Sequence, residues 1–259
     1  MAVRCAMDGV WCVPIRPGRG VGAPGRSREA ASGPRNAGGW YDGIVAGPIV
    51  IAHHLIFTAY GWWLPNDPRG SNSKTIRNDV IAELGEVHHG RKRVQPASAD
   101  IREFYREAGK RLRHELLTFS ERDVSAIAAA FEEAIRSHRY TCWACAIMPD
   151  HVHLLIRKHK HLAEEMIANF QDQSRLRLRA EALRSTDHPV WGGLGWKVFL
   201  DHPDEVQRIV RYIQANPLKT GRPQQAWGFV KSYDGWPLHE GHSPKSPYVK
   251  ALRASERYP

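Results

Sequence analysis

Met148-Pro149-Asp150-His151-Val152-His153-Leu154-Leu155-Ile156 sets two histidines one residue apart inside an apolar run. Strand side chains alternate faces, so His151 and His153 point the same way, followed on that face by Leu155 and Arg157. Val152, Leu154 and Ile156 point the other way and can pack a core. Two imidazoles at this spacing can share one metal ion. The spacing suits two half-exposed histidines on a sheet surface equally well, and the run is too short to choose between them.

The flanking sequence makes this run part of a hairpin. Tyr140-Thr141-Cys142-Trp143-Ala144-Cys145-Ala146-Ile147 reads as a strand, and Pro149-Asp150 as a tight turn joining it to the histidine strand. Cys142 and Cys145 form a C-x-x-C whose odd separation puts the two thiols on opposite faces. With no second C-x-x-C among the four cysteines (Cys5 and Cys12 are the others), reduced cytosolic thiols fit better than a zinc site.

Helices flank the hairpin on both sides. Ser120 caps a helix with Val124, Ile127, Ala128, Phe131 and Ile135 as its apolar stripe. After the hairpin a helix over 162–183 carries Met166, Ile167, Phe170, Ser174 and Leu178 inside, with Arg175, Arg177 and Arg179 in its C-terminal half. Further out, Ile49 to Tyr60 reads as a first strand. Gly192-Gly193-Leu194-Gly195 leads into a short strand, Trp196 to Leu200. A last helix opens at Asp201 or Pro203 and runs to Asn216, where Pro217 should end it. The order β-α-β-β-α-β-α implies an α+β fold. It is a ferredoxin-like βαββαβ antiparallel sheet with an extra C-terminal helix and a helical insertion.

Composition bounds the rest. The 259 residues carry a formal net charge of +10, a balance that favours a polyanionic partner, most often nucleic acid. No apolar run is long enough for a membrane helix, and the N-terminus lacks a signal-peptide core, so a cytosolic protein with no membrane partner is expected. Residues 1–47, rich in Gly, Pro, Arg and Ser, read as a disordered tail. The domain is expected over 48–240, with an insertion over about 72–119 whose polar first part, 72–98, reads as mobile. Within the insertion, Ile101, Phe104, Tyr105, Ala108, Leu112 and Leu116 recur at helical spacing. Residues 241–259 read as a C-terminal tail. Trp227, Tyr233 and Trp236 are expected to pack over the domain edge.

The last helix supplies a second set of candidates. Val206, Ile209, Val210 and Ile213 form its core stripe. Tyr212 and Asn216 share the neighbouring face, at the boundary between core and water. They suit a snorkelling tyrosine and a helix-ending asparagine. They suit equally a nucleophilic phenol and an amide oxygen on a metal also held by His151 and His153.

Taken together, the motifs resemble a known family. The His-Val-His strand after Met-Pro-Asp looks like the HUH motif. Tyr212-Ile213 with Asn216-Pro217 on a C-terminal helix looks like the single-tyrosine HUH transposases, which include the REP-associated tyrosine transposases. Trp63-Leu64-Pro65-Asn66-Asp67-Pro68-Arg69-Gly70-Ser71 is similar to one branch of that group. The resemblance covers about residues 49–240. It implies a metal-dependent enzyme that cleaves and joins single-stranded DNA bearing hairpins or inverted repeats, in the bacterial cytoplasm at the nucleoid. Carried over by position, His151, His153 and Asn216 ligate Mg²⁺ or Mn²⁺, and Tyr212 forms a 5′-phosphotyrosine. Members occur as monomers and as homodimers, so the tyrosine can serve its own chain or a partner.

For DNA contacts the candidates are Arg69, Lys158, Arg175 and Arg179 on phosphates and Trp62 stacking on a base. Either His53 or His54 can line the site from the first strand, although a core histidine suits the same positions. Two other classes remain open: a nucleic-acid-binding module without catalysis, and a metal-dependent phosphohydrolase that would not need Tyr212. An RRM-type binder would place aromatics on the central strands, where this chain has His151 and His153.

Overall fold

The computed structural model describes residues 50–71, 73–76 and 79–237. The tails expected over 1–47 and 241–259 lie outside the described residues. Four strands, β1 (Ala52–Thr58), β2 (Cys142–Ile147), β3 (His151–Arg157) and β4 (Trp196–Leu200), form one sheet in the order β2-β3-β1-β4. Every neighbouring pair is antiparallel. Five helices accompany them: α1 (Asp79–Ala82), α2 (Ser98–Arg111), α3 (Glu121–His138), α4 (Ala163–Ala180) and α5 (Pro203–Lys219). This strand order is the ferredoxin-like one expected from the sequence, with α1 and α2 inserted after β1 and α5 added at the end.

Alternation decides what covers each face. Leu55 and Phe57 of β1 and Val152, Leu154 and Ile156 of β3 join Ile127, Phe131, Met166 and Phe170 of α3 and α4 in the main core. Phe57 meets the Phe131 ring edge-on at 6.0 Å and the Trp191 ring at 4.8 Å. Each such side chain contributes about 1.5–3 kcal/mol by leaving water. Ser120 caps α3 as expected: its Oγ accepts from the Asp123 amide, and Asp123 Oδ2 accepts from the Ser120 amide at 2.8 Å. The same buried carboxylate oxygen takes a bond from Arg184 at 2.6 Å, which ties the end of α4's connection to the start of α3.

The other face carries α5, which packs on β2, β3 and β4. Pro203 starts the helix, where its missing N–H costs nothing. The expected end at Pro217 is wrong: α5 continues to Lys219 with Pro217 inside it. Only one intrahelical bond is lost to the proline, and the Thr220 amide still closes a turn on the Pro217 carbonyl at 3.1 Å. The core stripe also differs. Val206, Ile209 and Ile213 are buried but Val210 only partly so, and of the boundary pair Tyr212 is partly buried as expected while Asn216 is buried.

A bulge corrects the cysteine reading. Pairing of β2 with β3 shifts register between Cys142 and Ala144, and the extra residue turns Cys142 and Cys145 to one side, where both join the main core. Both are free thiols. Burial pushes Cys142 up to about 12 and Cys145 well above the ordinary thiol value. The chain after α5 then covers the β2 edge. Gln225 accepts from the Ile147 amide and donates to its carbonyl, both at 2.8 Å. The Lys231 amide donates to the Cys142 carbonyl at 2.8 Å, and Tyr233 packs edge-on against Trp143.

From the stretch 72–98, Ile81 is buried and Ile76 and Leu84 are partly so. Leu64, Ile81, Ile101, Phe104, Tyr105 and Ala108 form a second core, joined by the partly buried Trp62, Ile76 and Leu84. Ser71 pairs with His89, and Gly70, at φ +97°, passes so close to the Gly90 carbonyl that a Cβ would stand 2.0 Å from its oxygen. Arg69 grips Asp67 through two bonds, at 2.8 and 2.6 Å, and lies over the Trp63 ring at 3.4 Å. Tyr105 closes the group by donating to the Asp67 carboxylate. We expect Arg69→Ala to cost about 3–5 kcal/mol, because it strands the Asp67 carboxylate in the interior. Urea unfolding of the two proteins measures the difference.

Candidate active site

β1 and β3 lie side by side with Ile56 opposite His153, Thr58 opposite His151 and His54 opposite Leu155. That register puts His54, His151 and His153 on the face that α5 covers. The His151 and His153 rings stand 4.8 Å apart between centroids and nearly perpendicular. Each has its Nδ1 engaged. The His151 Nδ1 meets Asp150 Oδ1 at 2.7 Å, and the His153 Nδ1 meets His54 Nε2 at 2.9 Å.

The tyrosine comes to this group from its own chain. Its ring lies edge-on to His153 at 5.5 Å and to His54 at 6.1 Å. Lys219, two helical turns beyond Tyr212, places Nζ 4.5 Å from the centre of the phenol ring. Asn216 lies between them in sequence, on the helix side that packs against the sheet, 7% exposed. Its Nδ2 is buried without a hydrogen-bond partner.

Burial governs the charges here. It lowers His54 to about 3. It holds His153 well below the ordinary imidazole value, helped by the nearby charges of His151, His54 and Lys219. Burial would raise the Asp150 carboxyl, but attraction and a hydrogen bond from His151, with the charge of Arg69, outweigh it and keep the group below the usual carboxylate range. The loop after β1 therefore bears on the site through Arg69, although Arg69 itself is buried.

The donor set fits a divalent ion in its chemistry. Two neutral imidazoles with Nδ1 engaged leave Nε2 as the ligating atom of each. Among the described residues no group of three His, Cys, Asp or Glu side chains gathers for metal binding. Any third protein donor among them is therefore of another residue type. The unpartnered Asn216 amide is of that type, and turned about its last bond it presents oxygen in place of nitrogen.

Not every candidate is placed as expected. Arg69 is 4% exposed and bound to Asp67, so it is not available to a phosphate. Trp62 donates to the Leu117 carbonyl at 2.8 Å and wedges between the two cores, with its ring 4.7 Å from that of Tyr105. Stacking on a base would require pulling it out. Lys158 is exposed. Arg175 pairs with Asp172 within α4, and Arg179 donates to the Thr186 carbonyl at 2.6 Å. His53 points away from the site group and meets Phe199 edge-on at 5.3 Å.

Sequence reasoning missed two neighbours of the site and left a third undecided. His54 was one of two open choices, and the register with β3 decides it. Asp150 read as a turn residue only. Lys219 shares the Tyr212 face at a spacing of seven, but the helix was expected to stop before it.

A ferredoxin-like sheet that turns paired histidines toward a tyrosine-bearing helix is the layout of the HUH proteins. Residues 103–216 match the model of the family described as "Transposase IS200 like". That segment runs from α2 to Asn216, and over it the resemblance read in the sequence is borne out. No curated protein matches the chain in sequence. Among solved structures, a REP-associated tyrosine transposase bound to a REP hairpin is similar at 12% identity, covering 73% of this chain and 76% of its own, with a TM-score of 0.35. A putative transposase from Deinococcus radiodurans R1 is similar at 12% identity, covering 69% and 95%, with a TM-score of 0.34. Among the described residues no helix is long and apolar enough to cross a membrane.

The buried histidines predict acid sensitivity. An unfolded histidine takes its proton near pH 6.5, whereas folded His54 waits until about pH 3. The unfolded state then binds more protons between those values, and stability falls as pH falls. His54 alone should remove roughly 1.4 kcal/mol per pH unit below 6.5. Denaturant titrations at pH 7 and pH 5 check this.

Proposed function

We propose that the chain is a single-stranded DNA endonuclease and strand transferase in which Tyr212 is the nucleophile. The observation that carries this reading is the 5.5 Å approach of the Tyr212 ring to the His153 ring within one chain. Attack by the phenol oxygen on a phosphodiester forms the Tyr–O–P bond and breaks the bond to the 3′ oxygen. The phenol gives up its proton, and the departing 3′ oxygen takes one. The product is a 5′-phosphotyrosine with a free 3′-hydroxyl. Because the ester keeps the bond energy, a second 3′-hydroxyl can reverse the step and join a new strand.

A divalent ion, Mg²⁺ or Mn²⁺, held by His151 and His153 with Asn216, would polarise a phosphate oxygen and stabilise the leaving oxygen. Lys219 adds a positive charge on the phenol's side, where the anionic phosphate must arrive. Lys158, Arg175 and Arg179 are the candidates for phosphate contacts elsewhere on the strand, with a steep dependence on salt. Tyr212 faces the histidines of its own chain, so one chain holds a full set of groups and a homodimer is not required for the first cut.

The test uses single-stranded, hairpin-bearing DNA from the flanks of the protein's own gene, with Mn²⁺. Wild type should give a protein–DNA adduct that survives denaturation. Tyr212→Phe should give none, and His151→Ala should lose at least about 100-fold. Cutting that persists in Tyr212→Phe would instead mark a phosphohydrolase. Binding without any cutting by wild type would mark a non-catalytic module.

A further inference from the structure

We propose that His54 is a positioning residue: its Nε2 accepts the Nδ1–H of His153 and so holds His153 in the tautomer that leaves Nε2 bare. The assignment rests on the metal-site reading above. The geometry comes from the centre of the sheet. His54 sits diagonally from His153 across β1 and β3, on the same face. Their nitrogens are 2.9 Å apart. His54 is 0% exposed and His153 5%, so water does not compete for the bond.

An N–H···N bond needs one proton between its two nitrogens. If His54 donated, His153 would carry its own proton on Nε2, and that nitrogen could not ligate. If His153 donates, its Nε2 keeps the lone pair. The neighbouring histidine settles the same question by charge. Asp150 can only accept, so His151 must hold its proton on Nδ1 and present Nε2. His54 does for the buried ring what Asp150 does for the half-buried one.

The choice of imidazole rather than carboxylate follows from depth. Asp150 has His151 against it and the charge of Arg69 nearby. A carboxylate at position 54 would be fully buried between strands before any ion arrived, at a large desolvation cost. A neutral ring accepts the same bond without that cost. Its neighbour His53 cannot substitute, because alternation along β1 turns it to the other face, against Phe199.

Two measurements test the assignment, and the first needs neither metal nor DNA. Long-range ¹⁵N–¹H spectra of histidine-labelled, metal-free wild type at pH 8 should show His151 and His153 both protonated on Nδ1 and bare on Nε2. A proton on His153 Nε2 overturns the proposal. The second is Mn²⁺ affinity by calorimetry without DNA. His54→Leu should weaken binding about 10–100-fold. His54→Gln, whose amide oxygen reaches the place of Nε2, should recover most of that loss. Unchanged affinity in a folded His54→Leu protein overturns the proposal, and if that variant does not fold the wild-type spectra decide. The strand-transfer reading fails separately. A wild type with the expected tautomers but no DNA adduct supports the role of His54 and sinks the transferase. An adduct-forming protein with a proton on His153 Nε2 does the reverse.

Discussion

Two-residue alternation along β3 is the constraint on which the structure depends. It sends Val152, Leu154 and Ile156 into the core under α3 and α4 and leaves His151 and His153 on the opposite face. An antiparallel sheet covered by helices on one side can hold polar groups on the other only if something partners them. Here the partners are Asp150 in the turn, His54 on the adjacent strand and α5 above. A slip of one residue in the β1–β3 register would put His54 and the histidine pair on opposite faces of the sheet.

The second layer of organisation is the insertion. It could have been a tether of no consequence, yet with the loop before it, it forms a second apolar core, and its Tyr105 joins the buried Asp67–Arg69 pair of that loop. Arg69 is far from idle there, since its charge helps hold the Asp150 carboxylate ionised. Packing, ion pairing and the poise of the histidine site are therefore linked through one arginine. Trp62 joins the two cores physically, packing against both while partly buried.

Much of this was legible in the sequence. Period-two and period-3.6 patterns placed all four strands and the three long helices of the sheet domain, and Ser120 marked the start of α3. Legibility ended where local signals competed with tertiary ones. Pro217 is a strong local stop, but α5 is held on the sheet by Val206, Ile209 and Ile213 and runs past it to Lys219. The bulge at Cys142 leaves no mark in composition, and it reverses which side a thiol faces. Arginine 69 looked like a phosphate ligand because sequence carries charge and not burial. Among the site candidates, the approach of Tyr212 to the histidines could not be read from spacing, since it depends on which face of the sheet the last helix chooses.

The amide of Gln225 has a wider consequence. By bonding to both polar groups of Ile147 it imitates the peptide unit of an absent fifth strand, and the Lys231 amide donates to the Cys142 carbonyl. The sheet is thus blocked on its β2 flank, while β4 forms the opposite border, with Trp196 and Phe199 partly uncovered. Lateral growth of such a sheet has a direction. A strand from another chain could add on the β2 side only by displacing Gln225 and Lys231.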